Sequence, residues 1–162
     1  MCCAVSGVNT RRRHFYKRKY KMGEIKKINH VAIVVDSIES ALPFWQDAFG
    51  LELHHIEEVP SQHSKVAFFP LGDSEVELVE PTNKESGLAR YLETRGPGIH
   101  HLCFEVQGIE AVMTSLKEKG VRLINETPQV LPGRKMAFVH PKSTGGVLIE
   151  LYELTPGTIG GD

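Results

Sequence analysis

Two histidines and two glutamates stand at matching places in a sequence that repeats itself. Residues 29–35 read NHVAIVV and residues 100–106 read HHLCFEV, so His30 and His101, 71 residues apart, each sit at the start of a strand-like run. Glu77 and Glu150, 73 residues apart, each lie in the apolar run that closes their copy. A unit carrying one His and one Glu yields a two-His, two-Glu set when its copies pair. Imidazole nitrogens and carboxylate oxygens suit Zn²⁺, Co²⁺, Mn²⁺ or Ni²⁺, and four protein ligands leave positions for water or substrate in a six-coordinate site. Taken singly, a strand histidine is more often a surface or hydrogen-bonded core residue, and a glutamate beside a turn faces water. The recurrence of all four points to a metal.

The elements that must position them repeat as well. Ile28 to Val35 has the β-branched content of a strand, and Asp36-Ser37 supplies helix-start chemistry. Apolar residues then recur at three and four from Ile38 to Phe49, which predicts a helix closed by Gly50. Strands follow over Leu51–Glu58, Lys65–Leu71 and Ser74–Val79, the last two joined by a turn at Gly72-Asp73. The second copy reads as a strand over His100–Val106, a helix over Ile109–Lys119 closed by Gly120, and strands over Val121–Glu126, Lys135–His140 and Val147–Leu154. Between the copies, Ser86–Thr94 has helical spacing before Gly96-Pro97-Gly98 breaks the chain. Each half is thus βαβββ, and it must pair with the other half or another chain to bury its sheet.

Strand alternation sorts the side chains. Glu150 shares a face with Leu148 and Tyr152, Glu77 with Glu75 and Val79, His30 with Ala32 and Val34, and His101 with Cys103 and Glu105. One face therefore packs on helices and the other lines a cavity. The remaining histidines stay outside the metal set. His54 and His55 face opposite ways, His63 falls in a loop, and His100 must point away if His101 points in. His140 precedes a turn, where it either orients the loop or touches an anionic ligand. No GxxxxGK[ST] loop, GxGxxG after a strand or GxSxG elbow competes, and Gly145-Gly146 reads as a turn.

Composition bounds the rest. The 162 residues suit one domain or two small halves sharing a core, and 41% apolar with 24% charged residues is ordinary for a globular chain. No apolar run approaches a membrane span. The first 21 residues carry seven Lys and Arg and no acid, which leaves 12 basic against 20 acidic residues beyond them. A body that acidic argues against a nucleic-acid-binding face. The basic leader reads as a disordered extension, with Met22 as an alternative start, as an organelle-targeting segment, or as a tail for an anionic surface. Cys2, Cys3 and Cys103 exclude a disulfide scaffold, and Cys103, in an apolar strand, reads as a buried, inert thiol. The expected organisation is a disordered leader over 1–24, a single domain over 25–155 with modules at about 27–82 and 98–154, and a tail over 156–162.

INHVAIVV, DSIESALPFW, VAFFPLGDSEVELVEP, GIHHLCFEV and HPKSTGGVLIELYE together resemble the vicinal oxygen chelate (glyoxalase/bleomycin resistance/dioxygenase) superfamily, and within it most of all the methylmalonyl-CoA epimerase family. The similarity covers about Ile28 to Leu154. It implies an α+β fold in which two tandem βαβββ modules form a half-open β-barrel around a divalent metal. The family's metal ligands fall on His30, Glu77, His101 and Glu150, with Co²⁺ the first choice of ion. The implied activity is interconversion of (2R)- and (2S)-methylmalonyl-CoA in propionate metabolism, through an enediolate stabilised by chelation of the substrate's thioester and carboxylate oxygens. Glu150 is one implied base. Some relatives have a second glutamate in the stretch matching Ser61 to Val66, but SQHSKV has none, so Glu77, Gln62 through a water, and His63 are the candidates in that order. The resemblance further implies an acyl-CoA substrate, a homodimer, no nucleic-acid or membrane partner, and a cytoplasmic address, or a mitochondrial one if the leader targets. A lactoylglutathione lyase of the glyoxalase I type uses a similar ligand set and is the alternative activity. A non-catalytic small-molecule binder on the same fold is the alternative of a different class.

Overall fold

The computed structural model describes residues 23–155. The leader over residues 1–22 and the tail over 156–162 lie outside the described residues. Eight strands and three α-helices follow in the order β1 (Glu24–Val34), α1 (Ile38–Leu42), β2 (His55–Val59), β3 (Ser64–Leu71), β4 (Ser74–Pro81), α2 (Gly87–Arg95), β5 (Gly98–Gln107), α3 (Ile109–Glu118), β6 (Gln129–Leu131), β7 (Arg134–Val139) and β8 (Leu148–Leu154). The strands form one sheet in the order β2-β3-β4-β1-β5-β8-β7-β6. Each module's first strand lies parallel to its last, β1 beside β4 and β5 beside β8, while β1 and β5 meet antiparallel at the seam between modules. The sheet curls until Gln62, just after β2, sets its Nε2 3.9 Å from the Met136 sulfur on β7. This is the half-barrel of the expected α+β fold. Among the described residues, no helix is long and apolar enough to cross a membrane.

The convex face buries the helices. Val35, Ile38, Ala67, Phe69 and Leu78 form the core under α1, and Val106, Ile109, Val112, Met113, Ala137, Val139 and Leu151 the core under α3. Completely buried side chains such as Phe69, Ile38 and Ile109 each contribute roughly 1.5–3 kcal/mol. Glu80 on β4 accepts a 2.7 Å hydrogen bond from the Ile38 N–H, and Glu153 on β8 accepts from the N–H groups of Gly108 and Ile109. Each is three residues beyond a site glutamate and so on the opposite face of its strand. The same short segment thus fastens its strand to a helix N-terminus on one side, where a carboxylate is favoured, and presents Glu77 or Glu150 on the other.

Several element boundaries differ from expectation. β1 begins at Glu24, inside the stretch read as leader, because Glu24 and Ile25 pair with Gln107 and Val106. The helix over Ile38–Phe49 is α-helical only to Leu42 and continues as a π-helix over Pro43–Ala48. Pro43 lacks the N–H that the α ladder needs there and its ring crowds the preceding turn, which favours the wider winding. The expected strand over Val121–Glu126 is a broken edge: it keeps one bridge, Leu123 to Val139, and the Asn125 side chain, not its backbone, accepts from the Phe138 N–H. The short β6 then completes that edge beside β7.

Candidate metal centre

Register assembles the four residues of interest into two rows. One row runs Glu77, Ala32, His101 across β4, β1 and β5; the next runs His30, Cys103, Glu150 across β1, β5 and β8. Ala32 and Cys103, both with no exposed surface, stand diagonally opposite each other and leave space between the larger side chains. They underlie the floor of a cavity of about 420 Å³ on the concave face, whose lining includes His30, Glu77, His101 and Glu150.

Three of the four converge on one point. The Nε2 atoms of His30 and His101 are 3.1 Å apart, and Glu150 Oε2 lies 2.9 Å from His101 Nε2 and 3.6 Å from His30 Nε2. A cation with bonds of about 2.0–2.2 Å separates neighbouring ligands by roughly 3.0–3.6 Å, so the donor set fits a divalent metal. Glu77 enters the same cavity with its Oε1 3.3 Å from His30 Nδ1, on the other edge of that ring. His30 and Glu150 are only 6% and 5% exposed. A buried cluster of two imidazoles and two carboxylates, without fixed cations among its own members, is what a dication would neutralise.

The electrostatics divide the two glutamates. Burial pushes the Glu77 carboxyl up to about 7, aided by the charges of Glu75 and Glu150 and opposed by His30. Burial also works against ionised Glu150, but hydrogen bonds from His101 and His30 outweigh it and hold that carboxyl at about 2. His30 is raised: burial lowers it, and Glu150 and Glu77 more than compensate. Burial lifts the Cys103 thiol far above its ordinary value, with Glu150 and Glu77 adding to the shift, so it stays protonated. It is the buried inert thiol expected, facing the site floor.

A prediction follows for the metal-free protein. His100, held by burial at about 4, gives the opposite trend between about pH 4 and 6.5, whereas Glu77 binds its proton more tightly folded than unfolded, so its own contribution to stability falls as pH rises between about 4.5 and 7. The loss is on the order of 3 kcal/mol. Glu150 contributes nothing over this window, since its stabilisation disappears only as pH falls through the carboxylate range. Glu77→Gln should therefore be more stable than the parent at pH 8, and the difference should vanish at pH 4.5. Chemical denaturation of both proteins in chelator measures it; parallel pH dependences would refute the assignment of a strained Glu77 carboxylate.

Other expected residues are placed as follows. His63 adopts a left-handed backbone (φ 52°) outside the cavity lining, which removes it from consideration as a base; Gln62 does line the cavity. His140 orients its loop, its Nδ1 accepting from the Lys142 N–H at 3.0 Å. His55 lines the cavity stacked on Phe68, with ring centroids 4.4 Å apart. His100 contradicts expectation, because it faces the cavity beside His101. The reason is a β-bulge: Ala32 pairs with His101 while Ile33 pairs with Ile99, which leaves His100 as an extra residue and interrupts strict alternation. Glu57, Arg134 and Tyr152 are among the lining residues that were not site candidates in the sequence. Glu57 follows His55 on the same face of β2, and Arg134 reaches the hydroxyl of Tyr152. Arg134 is the single Lys or Arg among the described lining residues. Alternation from His55 and Glu150 would have found Glu57 and Tyr152; the turn before Arg134 hid its direction.

Comparison with known proteins gives a consistent picture. The profile of the Glyoxalase/Bleomycin resistance protein/Dioxygenase superfamily matches residues 29–138. The uncharacterized Bacillus subtilis protein YqjC is 37% identical over 130 residues, which cover 80% of this chain and 93% of YqjC. Human mitochondrial methylmalonyl-CoA epimerase is 35% identical over 129 residues, covering 78% of this chain and 73% of the human protein. The crystal structure of methylmalonyl-CoA epimerase from Mycobacterium tuberculosis superposes with a TM-score of 0.74 at 33% identity, covering 82% of this chain and 90% of that one.

Proposed function

The chain belongs to the Glyoxalase/Bleomycin resistance protein/Dioxygenase superfamily, and from that premise we propose that it is a metal-dependent epimerase interconverting (2R)- and (2S)-methylmalonyl-CoA. The observation that carries the reading is the convergence of His30 Nε2, His101 Nε2 and Glu150 Oε2 within 3.6 Å of one another, with Glu77 in the same cavity. In this reading His30, Glu77, His101 and Glu150 hold the ion. A dication there supplies positive charge to oxygens conjugated with C2, which makes the C2 proton more acidic.

The chain's own residues do the rest. Inversion needs one group to take the C2 proton and another to return one from the opposite side. Of the carboxylates that line the cavity, Glu77 and Glu150, one from each copy, take these roles in this reading. Glu77, on the other edge of the His30 ring from Glu150, is the partner that this reading assigns to it. The low exposure of both limits water at the reacting carbon. Arg134 gives an anionic acyl group a counter-charge in a lining that also contains Glu57 and Glu75. The same proposal takes Co²⁺ as the ion, a homodimer as the assembly, propionate metabolism as the setting and the cytoplasm as the address, each supported by family resemblance.

Proton NMR of the purified protein with methylmalonyl-CoA in D₂O tests the reading. The C2 proton signal is expected to disappear far faster than in an enzyme-free control, and only with a divalent ion present. No exchange above control with metal bound would overturn the epimerase, and turnover of the hemithioacetal of methylglyoxal and glutathione would then establish the lyase.

A further inference from the structure

The seam between β1 and β5 contains more than one irregularity, and two of them are equivalent. Ile28 pairs with Phe104 and His30 with Cys103, so Asn29 is an extra residue in β1; His100 is the extra residue in β5. Each bulge doubles the residue before a converging histidine and turns its side chain toward that histidine's ring. Asn29 Oδ1 lies 2.9 Å from His30 Nδ1, and His100 Nδ1 lies 2.8 Å from His101 Nδ1. The sequence sets the two extra residues 71 apart, as it does the histidines they precede.

We infer that Asn29 and His100 are positioning residues: each accepts a hydrogen bond from Nδ1–H of the next histidine and so fixes both Nε2 lone pairs on one cation. This rests on the metal reading of the site. An imidazole that ligates through Nε2 carries its proton on Nδ1, and that proton needs an acceptor when buried. Asn29 presents its Oδ1 2.9 Å from His30 Nδ1, nearer than Glu77 Oε1 at 3.3 Å, and so serves as the acceptor while Glu77 is left to the ion. His100 can accept only through its own unprotonated Nδ1, so its ring must be held still. The edge of Tyr91 does this, with centroids 4.8 Å apart at 87°, and the Tyr91 hydroxyl is itself anchored on the Ile99 carbonyl at 2.8 Å. The helix α2, which carries Tyr91, thereby reaches the His101 ring through a single neighbour.

Competition titrations of the full chain against a chromophoric chelator, with Co²⁺ and Zn²⁺ and no substrate, test the inference. Asn29→Leu and His100→Leu should each weaken metal binding by about 10–100-fold. His100→Asn gives the second module the first one's acceptor and should stay within about threefold of the parent. Parent-like affinity in both leucine variants, with metal lost in His101→Ala, would overturn the inference and leave the metal reading standing. Parent-like affinity in His101→Ala, or no metal in the parent, would remove both. Should a leucine variant fail to fold, ring-nitrogen NMR of the Zn²⁺-loaded parent decides: nitrogen–nitrogen coupling across a hydrogen bond from His101 Nδ1–H to His100 Nδ1 supports the inference, and its absence with His101 Nδ1 protonated defeats it.

Discussion

On the epimerase reading, Glu150→Gln is expected to slow exchange of the substrate's C2 proton by at least about 10³-fold, because one change removes both a base and a ligand charge. Glutamine keeps the shape of the side chain, so packing around β8 survives. Glutamine also keeps one oxygen where Glu150 Oε2 meets both histidines, but it carries no charge and offers the cation a neutral donor. Loss of a direct ligand should weaken metal binding by more than the roughly 10–100-fold that an outer partner costs. The fold should persist, since Leu151 on the other face of the same strand stays in the core under α3. Exchange rate and metal affinity must fall together. A variant that binds metal like the parent yet exchanges slowly would leave Glu150 as a base alone, and one that exchanges at the parent rate would remove it from the chemistry.

A second large effect is expected from a residue that can donate nothing. Ala32 lies between Glu77 and His101 in the register and has no exposed surface. Ala32→Leu places three further carbons where the two rows of ligands meet. Overpacking of this kind costs about 1–3 kcal/mol of stability, which a protein of ordinary stability tolerates. Metal binding should be lost by at least about 100-fold, since a first-coordination position is filled and not merely perturbed. Metal content after dialysis against Co²⁺, alongside a thermal melt, makes the measurement. Parent-level metal in a folded Ala32→Leu protein would show that the ion does not sit above this floor.

Much of this was legible in the sequence because duplication makes pattern errors cancel. His30 and His101, or Glu77 and Glu150, mean little alone, but two copies of one placement separate a site from a scatter of polar residues. The strand faces were legible where alternation is unbroken: Leu78 packs under α1 while Val79 lines the cavity side, as period two requires. The reading failed where one residue is inserted. At His100 the bulge defeats alternation, and a bulge is set by pairing with a distant strand, which no local pattern encodes. The same holds for Val121–Glu126, whose composition suits a strand but whose Asn125 uses its side chain in place of its backbone. Pro43 was visible, yet periodicity alone does not distinguish an α-turn from a π-turn at 43–48.

The antiparallel meeting of β1 and β5 has a stereochemical meaning. Ala32 pairs with His101 and His30 with Cys103, and 71 residues separate each member from its counterpart in the other copy. Exchanging the copies therefore maps this arrangement onto itself, which defines a local dyad at its centre. Such an axis interchanges the two faces of any plane that contains it. On the proposed function, a flat, deprotonated carbon lying on the axis would offer its re face to one copy and its si face to the other, so that Glu77 and Glu150 would attend to opposite enantiotopic sides. Handedness at that carbon would become a choice between two halves related by the dyad, and configurational scrambling would be the outcome that the duplicated architecture makes easiest to reach.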